Sequence, residues 1–215
     1  MNKPLRHVWL VVSVLFVLLF TSTTYFQVVA QERLNTDGRN ARTIYNEFGR
    51  HRGPIVVDGS PIATSVESDD TYGYLRTYEP GSIYAPVTGY YSVVYGFSGI
   101  ERSLNDTLSG EADALFYQRI SDILSGRSGT GATVELTLDS AAQRAAWDAL
   151  DGRRGSVVAL DPETGAVLAM VSAPSYDPNR LASHDTAAVQ DVWSELNEDP
   201  ERPLTNRAIG GDLYP

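Results

Sequence analysis

The chain has 215 residues, and its 27 acidic against 17 basic side chains give a formal charge of −10 at neutral pH. It has no cysteine, which excludes disulfides and thiolate-based metal or redox sites. Lys3 and Arg6 are the only charged residues before position 31, so removing these two positive charges leaves −12 on residues 31–215. A field of that sign opposes DNA and RNA, so nucleic acid is set aside as a partner.

The N-terminus reads as a membrane segment. Lys3, Arg6 and His7 precede residues 8–30, an uncharged run of 23 residues whose first part, 8–20, has Ser13 as its one polar side chain. That length spans a bilayer as a tilted helix. The basic flank puts residues 1–7 in the cytoplasm and the rest of the chain outside the cell membrane, as a single-pass protein. A cleaved signal peptide is the other reading, with Val28 and Ala30 at positions a signal peptidase accepts.

Residues 31–52 mix Arg33, Arg39, Arg42, Arg50 and Arg52 with Glu32, Asp37 and Glu47. Interspersed charge of this kind reads as a solvated stalk leading into a first strand. Asp58-Gly59, between two apolar runs, predicts a tight β-hairpin. Residues 67–99 hold seven tyrosines (72, 74, 78, 84, 90, 91 and 95) among Gly and Pro. They predict a small irregular domain packed by tyrosine rings whose hydroxyls reach water. A helix follows at 111–124, with Phe116, Ile120, Ile123 and Leu124 on one face. Ser125-Gly-Arg-Ser-Gly-Thr-Gly131 then reads as a linker between two modules.

Residues 139–150 predict a second helix. Asp139 or Ser140 caps it, Ser140-x-x-Gln143 fits a capping box, and Ala142, Ala145, Ala146, Ala149 and Leu150 form its apolar face, with Gly152 as the stop. Residues 156–172 are two apolar runs joined by Asp161-Pro-Glu-Thr-Gly165, a hairpin turn with Gly165 in the left-handed position. Both runs are apolar almost throughout, which predicts a central strand pair covered on both faces, with the alanine-rich helix as one cover.

The chemistry-bearing residues do not assemble in the sequence. His7, His51 and His184 are far apart and show no metal-ligand spacing. Gly129-Thr-Gly131 leads into a strand, so no phosphate cradle is implied. Gly96-Phe-Ser-Gly99 and Gly126-Arg-Ser-Gly129 each miss the nucleophile-elbow pattern. The acids Glu67, Asp69 and Asp70, and Glu198, Asp199 and Glu201, lie in turn-like surroundings and read as solvated charge. No catalytic, cofactor-binding or metal-binding residue is assigned, and no cofactor is implied.

Four ordered blocks carry a resemblance. The first is Asn40-Ala-Arg42 through Arg52-Gly-Pro-Ile-Val-Val-Asp-Gly-Ser-Pro-Ile-Ala63. The second is Tyr84-Ala-Pro-Val-Thr-Gly-Tyr-Tyr-Ser-Val-Val-Tyr-Gly96, with Gly99-Ile-Glu101 and Leu108-Ser-Gly110. Leu136-Thr-Leu-Asp139 with Gln143 is the third, and the fourth runs from Val158-Ala-Leu-Asp-Pro-Glu-Thr-Gly to Ser175-Tyr-Asp-Pro-Asn179. Together they resemble the front of a class B penicillin-binding protein, a peptidoglycan D,D-transpeptidase, of the actinobacterial type.

The resemblance implies an α+β fold: an N-terminal transmembrane helix, a small α+β pedestal domain, then the first helix and β-hairpin of an incomplete transpeptidase domain. The implied organisation is a cytoplasmic tail at 1–7, an anchor at 8–30, a stalk and pedestal at 31–128, and the start of the transpeptidase domain at 129–215. The family acylates a serine in Ser-x-x-Lys and uses Lys-Thr-Gly nearby. Lys3 is the only lysine in this chain, so neither motif is present. The resemblance therefore implies an N-terminal stretch of a cell-wall and division enzyme, inactive by itself and ending before the nucleophile. For the parent protein it implies nascent peptidoglycan stem peptides and β-lactams as ligands, the membrane through residues 8–30, and cell-wall synthesis or division proteins as partners. The alternative is a non-enzymatic, membrane-anchored extracytoplasmic module that binds such proteins.

Overall fold

The computed structural model describes residues 3–29, 45, 47–112 and 130–210. The chain divides into two compact units, Met1–Tyr45 and Asn46–Pro215. The first contains helix α1 (Lys3–Thr24), which continues as a π-helical turn at Tyr25–Val29. Its stretch Arg6–Val28 is 23 residues of apolar helix with none of its surface buried. At about 1.5 Å per residue it reaches about 35 Å, enough to cross a bilayer's hydrocarbon core of about 30 Å. Thr21 and Thr23 donate their hydroxyls to the carbonyls of Val17 and Leu19, which lets polar side chains sit in an apolar helix.

The second unit opens with the predicted hairpin. β1 (Ile55–Val57) and β2 (Ser60–Glu67) pair antiparallel, and Asp58 (φ 48°) and Gly59 (φ 73°) form the two-residue loop. Two positive φ values mark a type I′ turn, whose twist matches that of the flanking strands. β3 (Tyr74–Tyr78) adds to the outer side of β2. Five short elements follow: helix α2 (Gly81–Thr88), the pair β4 (Tyr91–Ser92) and β5 (Gly96–Phe97), and helices α3 (Gly99–Ser103) and α4 (Asn105–Leu108).

The chain then returns to the first sheet. β6 (Val134–Glu135) pairs parallel with β1, giving the order β3-β2-β1-β6. The predicted helix at 111–124 falls almost wholly outside the described residues, as does most of the predicted linker. Its final residue, Gly131, sits within the folded unit. The residues on both sides of that stretch belong to one compact unit, and three backbone stretches cross there. Gly53 N–H donates to Leu108 O at 2.8 Å, Gly131 N–H to His51 O at 2.9 Å, and Ala132 N–H to Thr107 O at 3.0 Å. Glycine is needed here for proximity: a Cβ on Gly131 would lie 1.7 Å from Leu108 O and 2.4 Å from Gly53 N.

Helix α5 (Ser140–Leu150) forms where predicted, and Asp139 caps it by accepting the Ala142 amide at 2.7 Å. The predicted capping box is not made, because Gln143 turns inward and is fully buried. The inward face is Ala142, Gln143, Ala146, Trp147 and Leu150, and Ala145 and Ala149 are exposed. An alanine carries too little apolar surface to decide which way a helix faces.

β7 (Gly155–Leu160) and β8 (Val167–Ala173) pair antiparallel around the predicted turn. The Asp161 carboxylate accepts from the Thr164 hydroxyl and the Glu163 amide, which holds its pKa below the ordinary range, and Gly165 has φ 76°. The cover differs from the expectation. Val157, Ala159, Ala169 and Val171 pack on α5, whereas Val158 and Leu160, on the opposite face of β7, are exposed. At the end of that face Ser156 and Ser172 exchange hydrogen bonds with residues 205–207. Helices α6 (Asn179–Ala182) and α7 (Thr186–Glu198) complete the unit around Leu181, Val189 and Leu196.

Gly131→Ala is expected to destabilise the chain by about 3 kcal/mol, the upper end of the overpacking range. Gly59→Ala meets open space and costs only the left-handed penalty, about 1 kcal/mol. Urea unfolding of the two variants, followed by tyrosine and tryptophan fluorescence, separates them; equal losses would remove the backbone crossing as the reason for Gly131.

Candidate functional site

The most demanding side-chain chemistry in the chain lies in the first sheet. Glu101, at the start of α3, is fully buried, and two guanidinium groups share it. Arg52 Nε donates to its Oε2 at 2.6 Å and Arg76 Nε to its Oε1 at 2.7 Å. Arg52 also donates to Asn105 Oδ1 (2.8 Å) and Glu101 O (2.7 Å), and its guanidinium lies 4.3 Å from the centre of the Tyr91 ring. Arg76 Nη1 donates to Gly53 O at 2.9 Å. The Tyr78 hydroxyl donates to Glu101 Oε1 at 3.2 Å, and burial together with the Glu101 charge pushes that phenol well above its ordinary pKa. It therefore stays protonated and donates.

These positions correct two sequence expectations. Arg52 is no part of a solvated stalk but is 3% exposed. Arg50 pairs with Glu111 at the surface, and Arg33, Arg39 and Arg42 lie outside the described residues. The tyrosines do pack the irregular region, but the hydroxyls of Tyr78 and Tyr91 face protein partners, Glu101 and the Glu47 carbonyl. Burial raises the pKa of Tyr91 strongly.

A row of polar clamps joins this sheet and α2 to the later elements. Pro86 lies inside α2, so the Ser82 carbonyl one turn earlier lacks a helical donor, and the Ser175 hydroxyl fills the place at 2.7 Å. Gln143 bridges in the same way: its Nε2 donates to Ile83 O (3.0 Å) and Met170 O (2.9 Å), and its Oε1 accepts the Met170 amide (2.8 Å). Asp58 Oδ2 accepts the Ser140 amide at 2.7 Å, a bond that holds its carboxyl below the ordinary range. Asn206 donates to Pro86 O at 2.7 Å.

Among the described residues no cluster of three or more His, Asp or Glu side chains could hold a metal. The ring of His51 packs edge-on against Tyr74, and His184 Nδ1 pairs with Asp70 Oδ2 under the Tyr72 ring. Asp70 is therefore not simple solvated charge. Burial pushes its pKa up, but the bonds from His184, from the Ser68 hydroxyl and from the Tyr72 amide outweigh it, and the carboxyl is held far below the ordinary range. A cavity of about 570 Å³ lies between the ends of α5 and β8, lined by Ser82, Trp147, Asp148, Asp151, Pro174 and Ser175 among others. Among the described residues its lining holds no histidine or lysine. The clamps brace one part of the chain on another.

Glu101→Gln removes the one carboxylate that two buried guanidinium groups share and is expected to cost about 3–5 kcal/mol of unfolding free energy. Replacing Arg52, Arg76 and Glu101 together by apolar residues should cost less, and urea titration of both variants checks the order. Asp70 binds a proton less readily folded than unfolded, so its contribution is complete above about pH 4 and is lost as pH falls below that value. Asp70→Asn is expected to flatten the acid limb of the melting temperature between about pH 4 and pH 2. An unchanged acid limb would dismiss the pair as a stabilising contact.

Two family models match the chain in order. Residues 52–134 match the penicillin binding protein A dimerisation domain, and residues 155–215 match the penicillin binding protein transpeptidase domain. The first match ends at β6, the strand that closes the first sheet. Over its whole length the chain is 48% identical to the peptidoglycan D,D-transpeptidase PbpA of Mycolicibacterium smegmatis and 41% identical to that of Mycobacterium tuberculosis, and it covers 45% of each. It thus spans less than half the length of these curated relatives. Among solved structures, an imipenem acyl-enzyme complex of penicillin-binding protein A from M. tuberculosis superposes with a TM-score of 0.75 at 42% identity, over 77% of this chain and 39% of that one. The D,D-transpeptidase domain of a peptidoglycan glycosyltransferase from Eggerthella lenta gives 0.57 at 40%, over 77% and 33%. With the buried Arg52–Glu101–Arg76 sheet inside the first matched region and the β7–β8 hairpin inside the second, the chain belongs to the penicillin-binding protein family.

Proposed function

We propose that these 215 residues supply the membrane anchor, the pedestal and the first transpeptidase elements of a penicillin-binding protein that cross-links peptidoglycan through an acyl-serine intermediate. The observation that carries this reading is the unbroken likeness, 41–48% identity over the whole chain, to peptidoglycan D,D-transpeptidases. In this reading residues 1–7 are a cytoplasmic tail, 8–30 the anchor, 31–128 the stalk and pedestal, and 129–215 the start of the transpeptidase domain. β6 is then a strand that the second part lends to the sheet of the first. The basic flank at Lys3 and Arg6 supports an orientation with the folded unit outside the cell. Cell-wall and division proteins are the partners this role calls for, and stem peptides and β-lactams are ligands of the complete enzyme.

Catalysis is assigned to residues not present in these 215. An activated serine in this family needs a lysine one helical turn away, and Lys3 stands at the start of the apolar helix. The same fact favours the second reading, a non-enzymatic anchored module, should the coding sequence stop after Pro215. Reading that sequence onward to a Ser-x-x-Lys motif supports the enzyme, whereas a stop codon there supports the module.

The full 215-residue chain in membranes, incubated with a fluorescent penicillin, is expected to show no covalent band. A band that unlabelled penicillin competes away would overturn the assignment of the nucleophile to residues outside this sequence.

A further inference from the structure

One short segment, residues 177–184, grips strand β3 at both ends. At the C-terminal end the Asn179 side chain takes the place of a neighbouring strand: its Oδ1 accepts the Tyr78 amide at 2.8 Å and its Nδ2 donates to the Tyr78 carbonyl at 2.9 Å. Asp177 Oδ1 accepts from the same Nδ2 at 2.8 Å and so sets the orientation of the amide group. Just before the N-terminal end of β3, His184 Nδ1 pairs with Asp70 Oδ2, and the Tyr72 ring packs 4.6 Å from the imidazole. Asp70 in turn holds the β2–β3 loop by accepting the amides of Tyr72 (2.8 Å) and Gly73 (3.2 Å).

Between the two grips lies α6, and its buried residues divide between two cores. Ala182 packs with Ile55, Val57 and Tyr78 of the first sheet, and Leu181 packs with Val189 and Leu196 of α7. Arg180 adds a bidentate pair with Glu195 of α7, at 2.6 and 3.1 Å. The side of β3 toward the sheet is equally constrained, since Arg76 and Tyr78 both bind the buried Glu101. A strand clamped at both ends, with its middle tied to a buried charge, shifts as a unit.

We propose that residues 177–184 form a coupling strap, which makes the position of the β2–β3 hairpin and that of α6–α7 depend on one another. It joins the region matched by the dimerisation model to the region matched by the transpeptidase model. A partner that moves the hairpin tip, residues 68–73, thereby moves α7. The strap does not rest on the catalytic reading above.

The test is amide hydrogen exchange on the full chain in detergent micelles, with one variant at each grip and each read at the opposite end. Asn179→Ala is read at the Tyr72 and Gly73 amides, and His184→Gln at the Tyr78 amide. Coupling of the usual strength raises exchange at the far end by about fivefold or more. The double variant should fall short of the product of the two single effects, because releasing either end already frees the strand. Amides of α5, such as Gln143, serve as the unaffected reference. Effects confined to each variant's own end, multiplying in the double variant, would overturn the strap. If Asn179→Ala unfolds the chain, seen as lost protection in α5, the response of Tyr78 to His184→Gln decides alone: a rise supports the strap and no change overturns it.

Discussion

A single buried carboxylate sets the terms for the folded unit. Glu101 lies between Arg52, which leads into β1, and Arg76, in the middle of β3, and the three side chains are at most 3% exposed. Moving one such charge out of water costs several kcal/mol, and only close pairing with full hydrogen bonding offsets it. The geometry is therefore restrictive. The entry to the sheet, its outer strand and the helix after β5 meet at this point, and without Glu101 both buried guanidinium groups lose their carboxylate. Asn105, Tyr78 and the Gly53 carbonyl add further hydrogen bonds to the three side chains, which extends the same demand to α4 and to the backbone crossing at Gly53 and Gly131.

The second recurring device is a side-chain amide pressed against a strand edge. Gln143 binds both backbone groups of Met170 on β8, and Asn179 binds both backbone groups of Tyr78 on β3. An unpaired strand edge is a template for association with other chains, and covering it is a common protection. An amide does so with complementary donor and acceptor, at the cost of a polar side chain that must itself be satisfied in the interior. Gln143 also donates to Ile83 O of α2, so each amide ties an element of the first matched region to one of the second. The residues matched by two family models thus form one compact unit with shared cores.

This arrangement suits a pedestal. An apolar helix of membrane-spanning length precedes it, and a rigid sheet with polar ties carries the opening elements of a second region. The polar side chains described above hold charges and backbone groups in place. The exposed face of β7, with Val158 and Leu160, lies in the region that matches the transpeptidase model.

The sequence by itself determined the features with local causes. The helix over the apolar run as far as residue 29, the Asp58-Gly59 turn, the Asp139 cap and the Asp161–Gly165 loop all formed, because each depends on length, φ preference or a hydrogen bond within a few residues. The lone lysine likewise settled the absence of Ser-x-x-Lys without any coordinates. Only the tertiary structure decided what Arg52, Gln143, Asp70 and Gly131 do. Arg52 and Asp70 read as solvated charge and Gln143 as a cap, since nothing nearby in the chain announces Glu101, His184 or Met170. Gly131 read as a linker residue, when its role is to let three backbone stretches pass within hydrogen-bonding distance. The physical reason is common to all four. The cost of burying a charge, an amide or a close backbone contact depends on the partner brought to it, and that partner is supplied by the fold from residues 23 to 114 positions away.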